Sequence, residues 1–78
     1  MPPSRGKIYD VEFSIVWNPT RRTFDIERDG KATGQFARDK STAIGLASRG
    51  AQFENREGKT AVVYSTNADG KLIVEWSA

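Results

Sequence analysis

The segment Ile8 to Trp17, IYDVEFSIVW, alternates along its whole length. Tyr9, Val11, Phe13, Ile15 and Trp17 fall on one side. Asp10, Glu12 and Ser14 fall on the other, with Ile8 and Val16 at the ends. A period of two sustained this long predicts a half-buried β-strand, because successive side chains of an extended chain point to opposite faces. The rest of the chain must then supply more strands to pair with it and a layer to cover its apolar side. Asn18-Pro19 ends the alternation with a turn signal. It resumes over residues 22–28, RTFDIER, with Phe24 and Ile26 inward, which predicts an antiparallel hairpin.

Three copies of one device follow: Asp29-Gly30-Lys31, Glu57-Gly58-Lys59 and Asp69-Gly70-Lys71. An acidic residue before glycine suits a tight turn, so the repetition predicts a hairpin-rich fold. Each turn offers too few oxygen ligands for calcium. Residues 31–36 read as a short third strand ending at Phe36 and weakened by Gly34. Near the end, residues 60–66 (TAVVYST) and 71–76 (KLIVEW) flank Asn67 to Gly70 as a second hairpin. Val62 and Val63 are both apolar there, as are Leu72, Ile73 and Val74, and a strand apolar on both sides needs cover on both.

Between the hairpins the period changes. On a helical wheel of residues 40–54, Ala43, Ile44, Leu46, Ala47, Gly50, Ala51 and Phe53 share one half, and only Glu54 interrupts that side. The central positions are small, so the helix can approach a sheet closely, with Phe13, Trp17 and Phe24 supplying the bulk. Gly45 and Gly50 each cost about 1 kcal/mol against alanine. Close packing would justify Gly50, whereas Gly45 lies on the polar side without a reason. The predicted core is Val11, Phe13, Ile15, Trp17, Phe24, Ile26, Ala43, Leu46, Ala47, Gly50, Val63, Leu72 and Val74. The fold class is α+β, in the order β-β-(β)-α-β-β, with one amphipathic helix on a mostly antiparallel sheet. Residues 1–7 read as a flexible tail and residues 8–78 as a single domain.

The stretch GQFARDKST (Gly34–Thr42) comes within one required position of the phosphate-loop pattern G-x-x-x-x-G-K-[ST]. Asp39 stands in place of the second glycine, and its negative charge would repel the phosphate that such a loop binds. A helix start accounts for every residue instead. Phe36 ends a strand, Asp39 caps the free N–H groups of the first turn, and Lys40 begins the helix.

The chain of 78 residues has no cysteine and no histidine. This removes disulfides, thiolate–zinc sites, the commonest metal ligand and every Ser-His or Cys-His nucleophile pair. Twelve basic and ten acidic residues are interspersed, giving a net charge of +2 without a basic stripe. No apolar run approaches the roughly 20 residues of a membrane helix. MPPSRGK lacks the apolar core of a secretion signal, so a cytoplasmic location is the expectation. Asp10 with Glu12, and Asp25 with Glu27, share strand faces, but paired carboxylates in a polar alternation belong to a solvated surface. No enzyme, cofactor, metal or small-molecule substrate is expected.

The order of elements resembles a family of short bacterial proteins known as domain of unknown function 2188. DKSTAI (Asp39 to Ile44) is similar to that family's helix opening, T-K-x-E-A-I. Ala51 falls where a later helix alanine is expected, and AVVYSTNADGKLIVEW (Ala61 to Trp76) is similar to its closing hairpin. The similarity spans roughly residues 8–76. Thr42 replaces the usual glutamate, which removes a reciprocal capping box. The resemblance implies a ββαββ-type α+β fold and carries no activity or site residues.

The favoured reading is a non-enzymatic protein-interaction module that pairs as a homodimer or binds a larger protein. With a helix on one sheet face, Val16, Tyr64, Ile73 and either Val62 or Val63 would form an apolar patch on the other. One alternative is nucleic-acid binding, with Arg21 and Arg22 in the first hairpin loop and Arg49 and Arg56 on the exposed helix side as phosphate contacts. The acidic strand faces oppose it. Another, drawn from size class alone, is a phage or mobile-element inhibitor of a larger host complex.

Overall fold

A computed structural model describes residues 8–78; the expected tail, residues 1–7, lies outside the described residues. The elements run β1 (Val11–Asn18), β2 (Thr23–Arg28), β3 (Lys31–Ala37), α1 (Lys40–Arg56), β4 (Ala61–Thr66) and β5 (Leu72–Ser77). They form one five-stranded sheet in the order β3-β2-β1-β4-β5. Pairing is antiparallel except between β1 and β4. The helix makes the crossover that parallel strands require, and it packs on one face of the sheet. The predicted α+β order therefore holds, and the third strand is present.

Local chemistry places these elements. At the β2–β3 turn Asp29 and Gly30 both have positive φ, 50° and 82°, the two-residue turn whose twist suits a hairpin. Glu57-Gly58, expected as another hairpin turn, instead closes the helix. The N–H of Gly58 donates to the Asn55 carbonyl at 3.0 Å, and Gly58 takes φ 90°. Asp39 is the helix N-cap, its carboxylate accepting from the Thr42 N–H at 2.9 Å and from the Thr42 and Ser41 hydroxyls. These bonds, the Thr42 N–H first, hold the Asp39 carboxyl below the usual carboxylate range.

The core lies between α1 and the helix-facing side of β1, β2 and β4. Ala43, Ala47 and Ala51 form a small-residue stripe over Val11, Phe13, Ile15, Ile26, Ala61 and Val63. A Cβ built on Gly50 would stand 3.1 Å from Cζ of Phe13, so the missing side chain is what lets helix and ring meet. Around Gly45 there is open space. Glu54, which interrupts the apolar side, is buried but paired. Arg28 donates to it at 2.9 Å and Lys59 at 3.3 Å. Burial pushes the Glu54 carboxyl up, and these two cations together outweigh it, leaving it below its ordinary value.

Three residues expected in the core are not there. Trp17 is 49% exposed, because β1 pairs with β4 only over Val11–Ser14 and Trp17 has a strand neighbour on the β2 side alone. It packs against Phe24 with ring centroids 4.8 Å apart. Leu72 and Val74 are 55% and 53% exposed. A register shift opposite Val63 and Tyr64 places Glu75 as an extra residue in β5. Trp76 therefore pairs with Val63 on the helix side and packs against the core, while Val74 pairs with Tyr64 on the other side. Uninterrupted alternation would have put Leu72, Val74 and Trp76 together.

Candidate functional site

The four residues expected to form an apolar patch do not gather into one. Val16 and Tyr64 do share the face away from the helix, Val16 exposed and Tyr64 half-buried. Val62 is on that face too, but it is fully buried in an inner strand, between Glu12 of β1 and Ser77 of β5, and offers no surface. Ile73 pairs with Ser65, whose side chain belongs to the helix side with Val63 and Ala61, so Ile73 points the opposite way from Tyr64. The register between the turn and the Glu75 bulge fixes this arrangement.

What the structure gathers instead is an apolar edge. Leu72, Ile73 and Val74 are consecutive and exposed on β5, the outermost strand on that side of the sheet. Leu72 and Val74 project from one face and Ile73 from the other. Lys71 precedes them. Glu75 follows, its carboxylate accepting a hydrogen bond from the Ser65 hydroxyl. The opposite edge, β3, is different. Its residues Lys31 to Phe36 are exposed, but Thr33, Gly34 and Gln35 form an irregularity in the β2–β3 register. There the Thr33 hydroxyl donates to the Ile26 carbonyl at 2.7 Å.

The four arginines expected as phosphate contacts fall into two separated pairs. Arg21 and Arg22 are exposed in the β1–β2 loop, whose shape is set by the Asn18 side chain accepting from the Thr20 and Arg21 N–H groups. The Arg21 guanidinium lies 4.8 Å above the Phe36 ring, on the face away from the helix. Near it, Asp25 accepts from the Thr23 hydroxyl at 2.6 Å and the Asn18 amide at 2.9 Å. Thr23 first, then Asn18, with a contribution from Arg21, hold the Asp25 carboxyl below its usual range. Arg49 and Arg56 are exposed on the other layer, along the solvent side of α1. Arg56 is in the helix's last turn, at the far end of the sheet from the β1–β2 loop. One nucleic-acid backbone would have to pass around the domain to touch both pairs.

An open depression of about 390 Å³ at the β2–β3 turn is lined by Arg28, Asp29, Lys31, Ala32 and Thr33. Among the described residues no three acidic, histidine or cysteine side chains lie where they could share a metal ion, and no helix is long and apolar enough to cross a membrane. No family model, curated protein or solved structure matches the chain.

Proposed function

We propose that the protein is a small cytoplasmic interaction module that works by binding rather than catalysis, and that it binds a second copy of itself. The observation that carries this reading is the run Leu72-Ile73-Val74, three large aliphatic side chains between 38% and 55% exposed on an outermost strand. An apolar edge of this kind is a template for pairing with another chain. Kinship with the domain of unknown function 2188 proteins is part of the same reading, supported by the order of elements.

Sedimentation velocity over a wide concentration range tests it. The expected result is a weight-average mass that climbs from the monomer toward twice that value. A monomer at every concentration would contradict the reading. The nucleic-acid alternative has one observation in its favour, the exposed pair Arg21 and Arg22. Oligonucleotide anisotropy that persists at physiological salt would favour it, since binding carried by phosphate contacts alone weakens steeply with salt.

A further inference from the structure

Whether an outermost strand can pair with its own copy depends on which backbone groups face outward and on what the side chains meet across the two-fold axis. In β5 the first point follows from two hydrogen bonds. The Asn67 N–H donates to the Lys71 carbonyl at 2.9 Å and the Lys71 N–H donates to the Asn67 side-chain oxygen at 3.0 Å, so Asn67 and Lys71 occupy the place of a hydrogen-bonded pair. Such pairs alternate along an antiparallel ladder, which makes Ser65 and Ile73 the next one. Leu72 and Val74 therefore turn their N–H and C=O groups to the free edge. The side chains are equally ordered. Leu72 and Val74 occupy the face away from the helix and Ile73 the helix side; alternation places Lys71 with Ile73, and the hydrogen bond from Ser65 brings Glu75 to that side too.

We propose that two copies join β5 to β5, antiparallel, about a two-fold axis at Ile73, making one continuous sheet of five strands from each copy. This rests on the self-association reading above and specifies its geometry. In this register Leu72 exchanges backbone hydrogen bonds with the partner's Val74, and the two side chains meet on one face. On the other face Ile73 meets the partner's Ile73, and Lys71 meets the partner's Glu75. Opposite charges thus face each other twice, once at each end of a short apolar centre.

Neighbouring registers lose this match. Moving the axis to Leu72 sets Lys71 against the partner's Ile73 and leaves Glu75 opposite the turn that precedes the partner's strand. Moving it to Val74 sets Glu75 against the partner's Ile73. A slip by one residue pairs side chains from opposite faces and turns the bonding groups the wrong way. Edge β3 has no comparable symmetry: the irregularity at Thr33–Gln35 interrupts its ladder, and Gly34 sits there with φ 86°.

Two experiments on the full chain test the register. The sequence contains no cysteine, so Ile73→Cys introduces a single thiol. At a non-hydrogen-bonded pair the two Cα atoms stand about 4.5 Å apart, within disulfide reach. Mild oxidation should convert this variant to a covalent dimer, and Gln35→Cys on the β3 edge should stay largely monomeric. Second, Lys71→Glu makes the edge acidic and Glu75→Lys makes it basic. Each alone should weaken self-association about tenfold. An equimolar mixture of the two, or the double variant, should restore it. Thermal melts confirm that each variant folds, and Lys71→Glu leaves the Ser65–Glu75 bond intact should Glu75→Lys not fold. If the parent self-associates but Ile73→Cys crosslinks no better than Gln35→Cys and the charge variants change nothing, the β5 register is wrong and the self-association reading survives. If the parent is monomeric throughout and Ile73→Cys does not crosslink, both are wrong.

Discussion

Strands β4 and β5 are the two arms of one hairpin and have similar apolar content, AVVYST and LIVEWS, yet they live in different environments. In β4, Ala61, Val62 and Val63 are fully buried. In β5 every residue except Trp76 is exposed. The difference comes from position. The inner strand has β1 on one side, β5 on the other and α1 above it, while the outer strand has a neighbour on one side only. Hydrophobicity drives burial only where the fold provides something to bury against. An apolar strand left outside is surface available to a second molecule, and that is the basis of the function proposed here.

The sharpest way to break this comparison is to make one substitution in both strands. Val63→Ala removes two carbons from a fully packed site and should cost the monomer about 2 kcal/mol in a urea unfolding experiment. Val74→Ala, measured on dilute protein, should fall within about 0.5 kcal/mol of the parent while weakening self-association. Equal costs would mean that β5 belongs to the core. The edge contrast between β3 and β5 is probed next. Gly34→Val forces a β-branched residue into φ 86°, and should lower stability by roughly 1–2 kcal/mol without altering association.

A smaller effect separates covered from open positions on the helix itself. Gly45→Ala places a methyl group in open space and should stabilise by up to about 1 kcal/mol. Gly50→Ala brings the same helix benefit but drives a methyl to 3.1 Å from the Phe13 ring, and should lower stability. Denaturant midpoints for the two variants should therefore move in opposite directions. The smallest effect expected is the response to acid. Asp39, Asp25 and Glu54 all have folded-state values below their ordinary ones. Their contribution is complete above the unfolded-state values near 4 and is lost as pH falls through the folded-state values. The thermal midpoint should hold from neutrality to about pH 5 and drop below it. Asp39→Asn, which keeps a capping side chain without the titration, should show a shallower drop.

Much of the architecture was readable from the chain because it rests on local rules. The alternation of Val11, Phe13 and Ile15, the Asp39 cap, the small stripe Ala43-Ala47 and the close approach at Gly50 each follow from spacing and residue size. The fate of β5 was not readable in this way. A single extra residue at Glu75 reverses the faces of Leu72, Ile73 and Val74, and nothing in LIVEWS marks where a bulge will form. The exposure of Trp17 depends on where β1 and β4 part, which is a property of two strands distant in sequence. Glu54 reads as a defect in an apolar stripe, and only the fold brings Arg28 and Lys59 beside it. The candidate patch separates for two reasons, burial at Val62 and strand register at Ile73. Val16, Val62 and Tyr64 do share a face, but neither the cover over Val62 nor the pairing of Ile73 with Ser65 follows from spacing along one strand.

The most direct test of the β5 account is residue-resolved amide hydrogen exchange across a concentration series. The Ile73 amide is turned toward β4 and should be protected at every concentration. The Leu72 and Val74 amides face the free edge, and should exchange quickly in dilute protein and become protected as concentration rises. That alternation, one amide indifferent to concentration between two that respond, is the predicted result. Fast exchange of Leu72 and Val74 at all concentrations, with protection growing elsewhere or nowhere, would contradict the account.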